Sequence, residues 1–224
     1  MLNGYKIDKN SKMSEKKILL AVPKGRILRD LIGLFDKIGL IPEEEFFDDN
    51  TRKMTFATNF ANLDLIKVRS FDIATFVGLG ACDAGVCGSD VMDEFSSKEV
   101  YDVLDLNLGK CRLCLAVDND FDLDLNGLTH ARVVTKYVNL TAKFFASLGI
   151  QAEIVKLNGA IEIATKLGLG DFIVDLVDSG ATLKDNNMRV FKQITDVSSR
   201  LIVNRAALKT KNIELNNIIK LFDI

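Results

Sequence analysis

Between positions 162 and 183 the chain reads EIATKLGLGDFIVDLVDSGATL, and this stretch carries the residues best suited to chemistry. Asp178, Ser179, Gly180, Ala181 and Thr182 form a run of small and hydroxylated residues. An apolar segment of strand length, 172–177, precedes it, and Leu183 reads as the start of a short helical turn. A loop of this kind between a strand and a helix start turns several backbone N–H groups in one direction. Together with two hydroxyls and the positive end of a helix dipole, those groups suit a phosphate. Asp175 and Asp178 stand beside the cradle, where a carboxylate would repel a phosphate. An ionised carboxylate only accepts hydrogen bonds, so sugar hydroxyls are its natural ligands there. A Ser-Gly turn after a strand also serves a plain φ > 0 position, and spacing alone leaves both readings open.

A second anion site is offered near the start. Lys24, Gly25 and Arg26 follow a short apolar strand, 18–22, and precede a helical pattern of Ile27, Leu28, Leu31, Ile32, Phe35 and Ile38 closed by Gly39. The two cations supply charge and the helix start supplies N–H groups; a solvated turn is the alternative. Arg52 opens a strand at 54–58, and Arg69 ends another at 63–69. Gly88, Ser89 and Asp90 lie at and just past the end of a small-residue strand, 84–88, where glycine admits either a ligand or tight packing.

Other reactive residue types lead less far. Cys111 and Cys114 have the C-x-x-C form, but they sit on a strand-like run where residues three apart face opposite ways. No second pair and no nearby histidine supports zinc, so Cys82, Cys87, Cys111 and Cys114 read as buried reduced thiols. The single histidine, His130, has no nucleophile near it and reads as a surface or edge residue.

The elements that must position these groups alternate between strand and helix. A helix at 71–79 is capped by Ser70 and ended by Gly80. Strands follow at 100–106 and 111–117, then a polar loop at 118–126 and a strand at 131–135. Leu140, Phe144, Phe145 and Leu148 mark an amphipathic helix; a strand at 152–156 and a helix at 159–167 lead to the opening stretch. Strands at 188–194 and 198–203 and a closing helix from 206, with Ile213, Ile218 and Leu221 inward, complete the chain. This alternation means α/β with mostly parallel sheets. The block 108–195 holds its own strands and helices and reads as a second lobe inserted into a first, made of 16–107 plus 196–224. The cleft between such lobes is the expected ligand site.

Composition sets the bounds. The chain has 224 residues, 48% of them hydrophobic, and a net charge of -2. That suffices for a sizeable core and lacks the basic stripe of a nucleic-acid groove. No apolar run is long enough to cross a membrane. Positions 1–15 are polar, without the apolar core of a secretory signal, and read as a disordered tail. The expected compartment is the cytoplasm.

The residues of the opening stretch resemble those of a known family. Glu162, Gly168, Gly170, Ile173, Asp175, Leu176, Ser179, Gly180, Thr182 and Leu183 match the signature of the short form of ATP phosphoribosyltransferase. Further matches, in order, are 23–26 (PKGR), 80–90 (GACDAGVCGSD), 101–106 (YDVLDL), 131–139 as a degenerate ATKYPN, 156–159 (KLNG) and 199–204 (SRLIVN). Cys82 and Ala84 stand where that family usually has alanine and a larger apolar residue.

The resemblance implies a two-lobed fold like type II periplasmic binding proteins. It implies transfer of phosphoribose from 5-phosphoribosyl-1-pyrophosphate to N1 of ATP, the first step of histidine biosynthesis, with magnesium carried on the substrate. It implies, further, that the 178–182 loop holds the 5-phosphate and that Asp175 and Glu162 hold ribose hydroxyls. Lys24, Arg26, Arg52 and, more weakly, Arg69 would meet the pyrophosphate charge, and Gly88, Ser89 and Asp90 would line the ATP side. A homodimer, and a hetero-oligomer with a regulatory subunit like histidyl-tRNA synthetase, follow from the same resemblance. The rival from another class is a non-catalytic two-lobed small-molecule-binding module.

Overall fold

The apolar run at the head of the chain becomes the middle of a sheet because every side chain in it has to leave water. β1 (Ile18–Pro23) is buried almost throughout and pairs in parallel with β3 (Leu63–Val68) and β4 (Ala84–Gly88). β2 (Thr55–Ala57) adds an antiparallel edge to β3. β11 (Ser199–Asn204) lies antiparallel between β4 and β5 (Val100–Asp105), giving the order β2-β3-β1-β4-β11-β5. The computed structural model describes residues 16–121, 125 and 127–224; the expected tail at 1–15 and part of the 118–126 loop lie outside them.

The chain leaves this sheet after β5 and builds a second one. β6 (Cys111–Asp118), β7 (His130–Thr135), β8 (Gln151–Lys156), β9 (Phe172–Val177) and β10 (Met188–Val197) take the order β10-β6-β9-β7-β8. The chain then returns through Ser198 into β11. The two crossings lie side by side. Leu106 N–H donates to the Ser199 carbonyl at 2.9 Å, and Ser199 N–H donates to the Leu108 carbonyl at 2.9 Å. Ser198 Oγ lies 3.1 Å from Asp105 Oδ2. The two lobes are therefore joined by a bonded pair of strands rather than by a loose linker.

The sheets are mixed, and here the expectation of mostly parallel strands is corrected. Among the described residues five of nine pairings are antiparallel. The reason is the pair of crossings: β6 and β10 run antiparallel as the chain enters and leaves the second sheet, and β11 returns against β4 and β5.

Helices cover both faces of the sheets. α1 (Arg26–Ile38) places Leu31, Leu34 and Phe35 on the first sheet and ends on Gly39, which is left-handed. α2 (Ile73–Gly78) and α3 (Ser89–Phe95) cover its other face, where Ile73, Ala74, Val77 and Val91 are buried with Cys87 and Ile202. Gly85 of β4 is required by packing: a Cβ there would stand 2.6 Å from Ile73 Cγ2. α4 (Val138–Ser147) packs on the second sheet through Phe145. Phe71 touches the cores on both sides of the lobe boundary.

Two further expectations fail. The helix at 159–167 is a single 3-10 turn, Ile161–Ile163, followed by irregular turns. Ala160 and Gly168, at φ 52° and 70°, have left-handed backbones that bound the segment on either side. Leu167, at the end of these turns, is exposed. The closing helix breaks at Lys211 into α6 (Arg205–Thr210) and α7 (Asn212–Phe222). Within α7 Ile218 is buried and Leu221 packs against the core as expected, with Leu215 and Phe222 also buried, but Ile213 lies on another face and is 65% exposed. All four cysteines are buried free thiols, and burial pushes Cys82 up to about 11.

Candidate functional site at the lobe boundary

β9 delivers the loop. Its residues from Phe172 to Val174 are buried, and the chain emerges at Asp178 as it leaves the sheet. Gly180 takes a left-handed backbone, φ 80° and ψ 6°, that a side chain would strain, and α5 (Ala181–Asp185) starts after it. Ala181 N–H donates to Ser179 Oγ at 3.3 Å. The N–H groups of Ser179, Gly180 and Thr182 donate to no acceptor among the described residues. A hollow of about 150 Å³ lies over the loop, with Glu162 and Asp175 on its wall and Asp178, Ser179, Gly180, Ala181 and Thr182 along it. Free N–H donors, two hydroxyls and flanking carboxylates in one hollow can hold a phosphate and the hydroxyls of an attached sugar.

Asp175 is fixed at one oxygen. Its Oδ1 accepts from Leu176 N–H at 2.8 Å and lies 3.3 Å from Lys136 Nζ. Its Oδ2 has no partner among the described residues. Sheet register explains the Lys136 contact. Thr135 pairs with Val174 in the parallel β7–β9 ladder, so the next residues on each strand, Lys136 and Asp175, come out side by side.

Arg26 crosses from the first lobe to the loop. Its Nη1 forms an ion pair and hydrogen bond with Asp178 Oδ2, and its Nη2 lies 3.4 Å from the Gly109 carbonyl at the crossing. Lys24, Arg52 and Arg69 do not line this hollow or the cleft described next. They collect instead at the carboxyl end of β1 and β3. Lys24 N–H donates to the Val68 carbonyl at 3.1 Å, Arg69 follows β3, and Arg52 lies two residues before Met54, whose carbonyl accepts from Lys67. All three side chains are exposed and none is ion-paired among the described residues. The carboxyl ends of parallel strands are where open α/β sheets bind ligands.

Between the lobes lies a cleft of about 110 Å³, walled by Arg26, Gly88, Asp90, Cys111, Lys136 and Tyr137 with others. Asp90 is only 3% exposed, and its Oδ2 accepts from the Tyr137 hydroxyl at 2.6 Å. Burial raises the Asp90 carboxyl above its ordinary range, against the Tyr137 bond and the Lys136 charge, which lower it. Burial and then the Asp90 charge push the Tyr137 phenol well up. Gly88 leaves room for this arrangement, since a Cβ there would lie 2.0 Å from Asp90 Oδ1. Ser89 does not line the cleft: its N–H donates to the Ser198 carbonyl at 2.9 Å, and its Oγ lies 3.4 Å from Ser198 N.

Lys136, Tyr137 and Glu94 received no role from spacing, yet all three sit at the boundary. Glu94 of α3 accepts from the N–H groups of Asn139 and Leu140, each at 2.9 Å, and so caps α4 from the other lobe. Lys136 and Tyr137 lie in the degenerate ATKYPN block, which was the only signal that could have flagged them.

Two mixed-sheet lobes joined by paired crossings, with an anion-suited loop at their boundary, define a two-lobed α/β protein of the type II periplasmic-binding-protein architecture. The periplasmic aliphatic sulphonate binding protein SsuA of Escherichia coli shares this fold: TM-score 0.58 and 11% identity over 93% of this chain and 72% of that one. The sequence model of ATP phosphoribosyltransferase matches residues 69–223. An ATP phosphoribosyltransferase of Novosphingobium aromaticivorans is 50% identical over 92% of this chain and 93% of its own. Another, of Paramagnetospirillum magneticum, is 48% identical over 93% and 96%. The ATP phosphoribosyl transferase (HisG:HisZ) complex of Thermotoga maritima superposes with a TM-score of 0.77 at 27% identity, over 92% of this chain and 96% of that one. The chain belongs to the ATP phosphoribosyltransferase family.

Proposed function

We propose that the chain transfers the phosphoribosyl group of 5-phosphoribosyl-1-pyrophosphate to N1 of ATP and releases pyrophosphate, the first step of histidine biosynthesis. The observation that carries this reading is the meeting of Arg26 with Asp178, which brings a cation of the first lobe to the mouth of the 178–182 loop. The free N–H groups and hydroxyls of the loop would hold the 5-phosphate, and Asp175 Oδ2 and Glu162 would hold ribose hydroxyls. So anchored, ribose C1 lies in line between adenine N1 and the departing pyrophosphate. Positive charge grows on the ribose and negative charge on the pyrophosphate. Arg26 would exchange Asp178 for pyrophosphate oxygens, and Lys24 and Arg52 would add to the same field, with Arg69 beside them. Adenine N1 carries its own lone pair, so no strong general base is called for. Gly88 and Asp90 would border the ATP side, with Ser89 behind them.

Magnesium would arrive on the pyrophosphate, largely hydrated, and would neutralise charge on the leaving group. The unpartnered Asp175 Oδ2 and the nearby Asp178 and Glu162 are carboxylate oxygens that would accept hydrogen bonds from its coordinated water. The Thermotoga complex supports a hetero-oligomer with a HisZ-like regulatory subunit, and a homodimer and a cytoplasmic location go with the same reading. No helix among the described residues is long and apolar enough to cross a membrane.

The test is pyrophosphate release with both substrates and magnesium, with and without a HisZ-like subunit. Release that needs both substrates is the expected result. Binding of either substrate with no release under both conditions would leave the two-lobed binding module as the better account.

A further inference from the structure

The dipeptide Lys136-Tyr137 touches both halves of the molecule with neighbouring side chains. Tyr137 reaches into the first lobe, where its hydroxyl donates to Asp90 and its ring meets Phe71 edge-on at 5.6 Å. Lys136 reaches into the second lobe, to Asp175 Oδ1, and its Nζ lies 4.9 Å from the centre of the Tyr137 ring. The backbone between them is pinned. Thr135, fully buried, donates its hydroxyl to the Val174 carbonyl at 2.7 Å and accepts Tyr137 N–H at 2.9 Å. Immediately after, Glu94 fixes the start of α4 from across the boundary. The dipeptide therefore has little freedom to move without disturbing either lobe.

The consequence for Asp175 follows from its hydrogen bonds. Its Oδ1 is occupied by Leu176 N–H and Lys136, and its Oδ2 is open toward a ligand. Lys136 stands one quarter exposed, so its attraction for Asp175 is only partly screened. Without it, only one hydrogen bond from the adjacent backbone orients the carboxylate.

We propose that Lys136 is a positioning residue for Asp175, and that the Tyr137–Asp90 bond across the lobe boundary holds Lys136 in place to do it. Packing between the lobes is thereby read out at the ribose-binding carboxylate. The proposal rests on the phosphoribosyl reading of the 178–182 hollow.

The experiment is calorimetric binding of 5-phosphoribosyl-1-pyrophosphate, with steady-state kinetics, on the full chain and on Lys136→Met, Lys136→Arg, Tyr137→Phe, Asp175→Asn and the Lys136→Met/Asp175→Asn double variant. Lys136→Met is expected to weaken ribosyl-substrate binding about tenfold and to raise KM for that substrate, and Lys136→Arg to restore most of the loss. The double variant is expected to bind no more weakly than Asp175→Asn alone. Tyr137→Phe is expected to weaken binding about threefold, and a further variant, Lys136→Met/Tyr137→Phe, to bind no more weakly than Lys136→Met alone. Additive losses in the double variant would show Lys136 acting on the ligand by itself and would overturn the proposal. So would wild-type affinity in Lys136→Met. A wild-type chain that does not bind the ribosyl substrate at all would remove the reading of the hollow, and this proposal with it.

Discussion

Arg26 and Asp178 are 152 positions apart in the chain and are joined by an ion pair across the lobe boundary. One begins the first helix of the first sheet; the other begins the turn after β9 in the second. Both side chains are well exposed, so the pair contributes little to stability. Its significance is positional. It marks where the two candidate anion sites face each other.

Arg26→Ala should therefore lower kcat/KM by at least about tenfold, a loss of about 1.4 kcal/mol in transition-state binding, while leaving the urea midpoint nearly unchanged. Arg52→Ala should produce a loss of similar size, although Arg52 contacts neither hollow in this structure. Unaltered steady-state kinetics in the Arg52 variant would remove that residue from the site.

Thr182→Val should weaken binding of the ribosyl substrate by roughly tenfold, the scale of one hydrogen bond to a charged group. Isothermal titration on both proteins measures it. Equal affinities would mean that the 178–182 loop is a structural turn and nothing more.

Glu94 supplies the cap that α4 lacks from its own lobe. Glu94→Ala should cost about 1–2 kcal/mol in unfolding free energy, and Glu94→Gln less, since it keeps one acceptor. Urea unfolding followed by circular dichroism distinguishes the variants. Identical midpoints would show that water caps the helix as well.

Asp90 makes stability depend on pH. Its carboxyl is raised above the ordinary 3.8 by burial, so the folded chain keeps the proton to higher pH than the unfolded chain. The corresponding stability is fully present below about 3.8 and is lost as pH rises through the raised value. Compared with Asp90→Asn, the wild type should therefore lose ground as pH climbs from about 4 toward neutrality. Unfolding curves for the two proteins that stay parallel over that span would contradict this.

Local pattern located what depends on local pattern. The continuous apolar run of β1, the strand-and-turn at 172–182 and the spacing of Leu31 and Phe35 on α1 are all visible in sequence order. Strand direction is not: periodicity is the same for a strand running either way, and β10 and β11 turned out antiparallel. Ile218 and Leu221 of the closing helix face inward as expected, but Ile213, five residues before Ile218, falls on another face of the same helix. Lys136 and Glu94 escaped notice for a different reason. Lys136 meets Asp175 through the register of two strands separated by α4 and β8, and Glu94 meets α4 across a boundary that no short window spans.

The order of the strands also bears on how the molecule is made. β11 is the last strand of the chain, yet it lies between β4 and β5. Until position 204 has been synthesised, the first sheet has a gap that its earlier strands cannot close. The second sheet is complete by Val197. On a ribosome, then, the inserted half can finish first while the half that contains the N-terminal strand waits for the end of the chain.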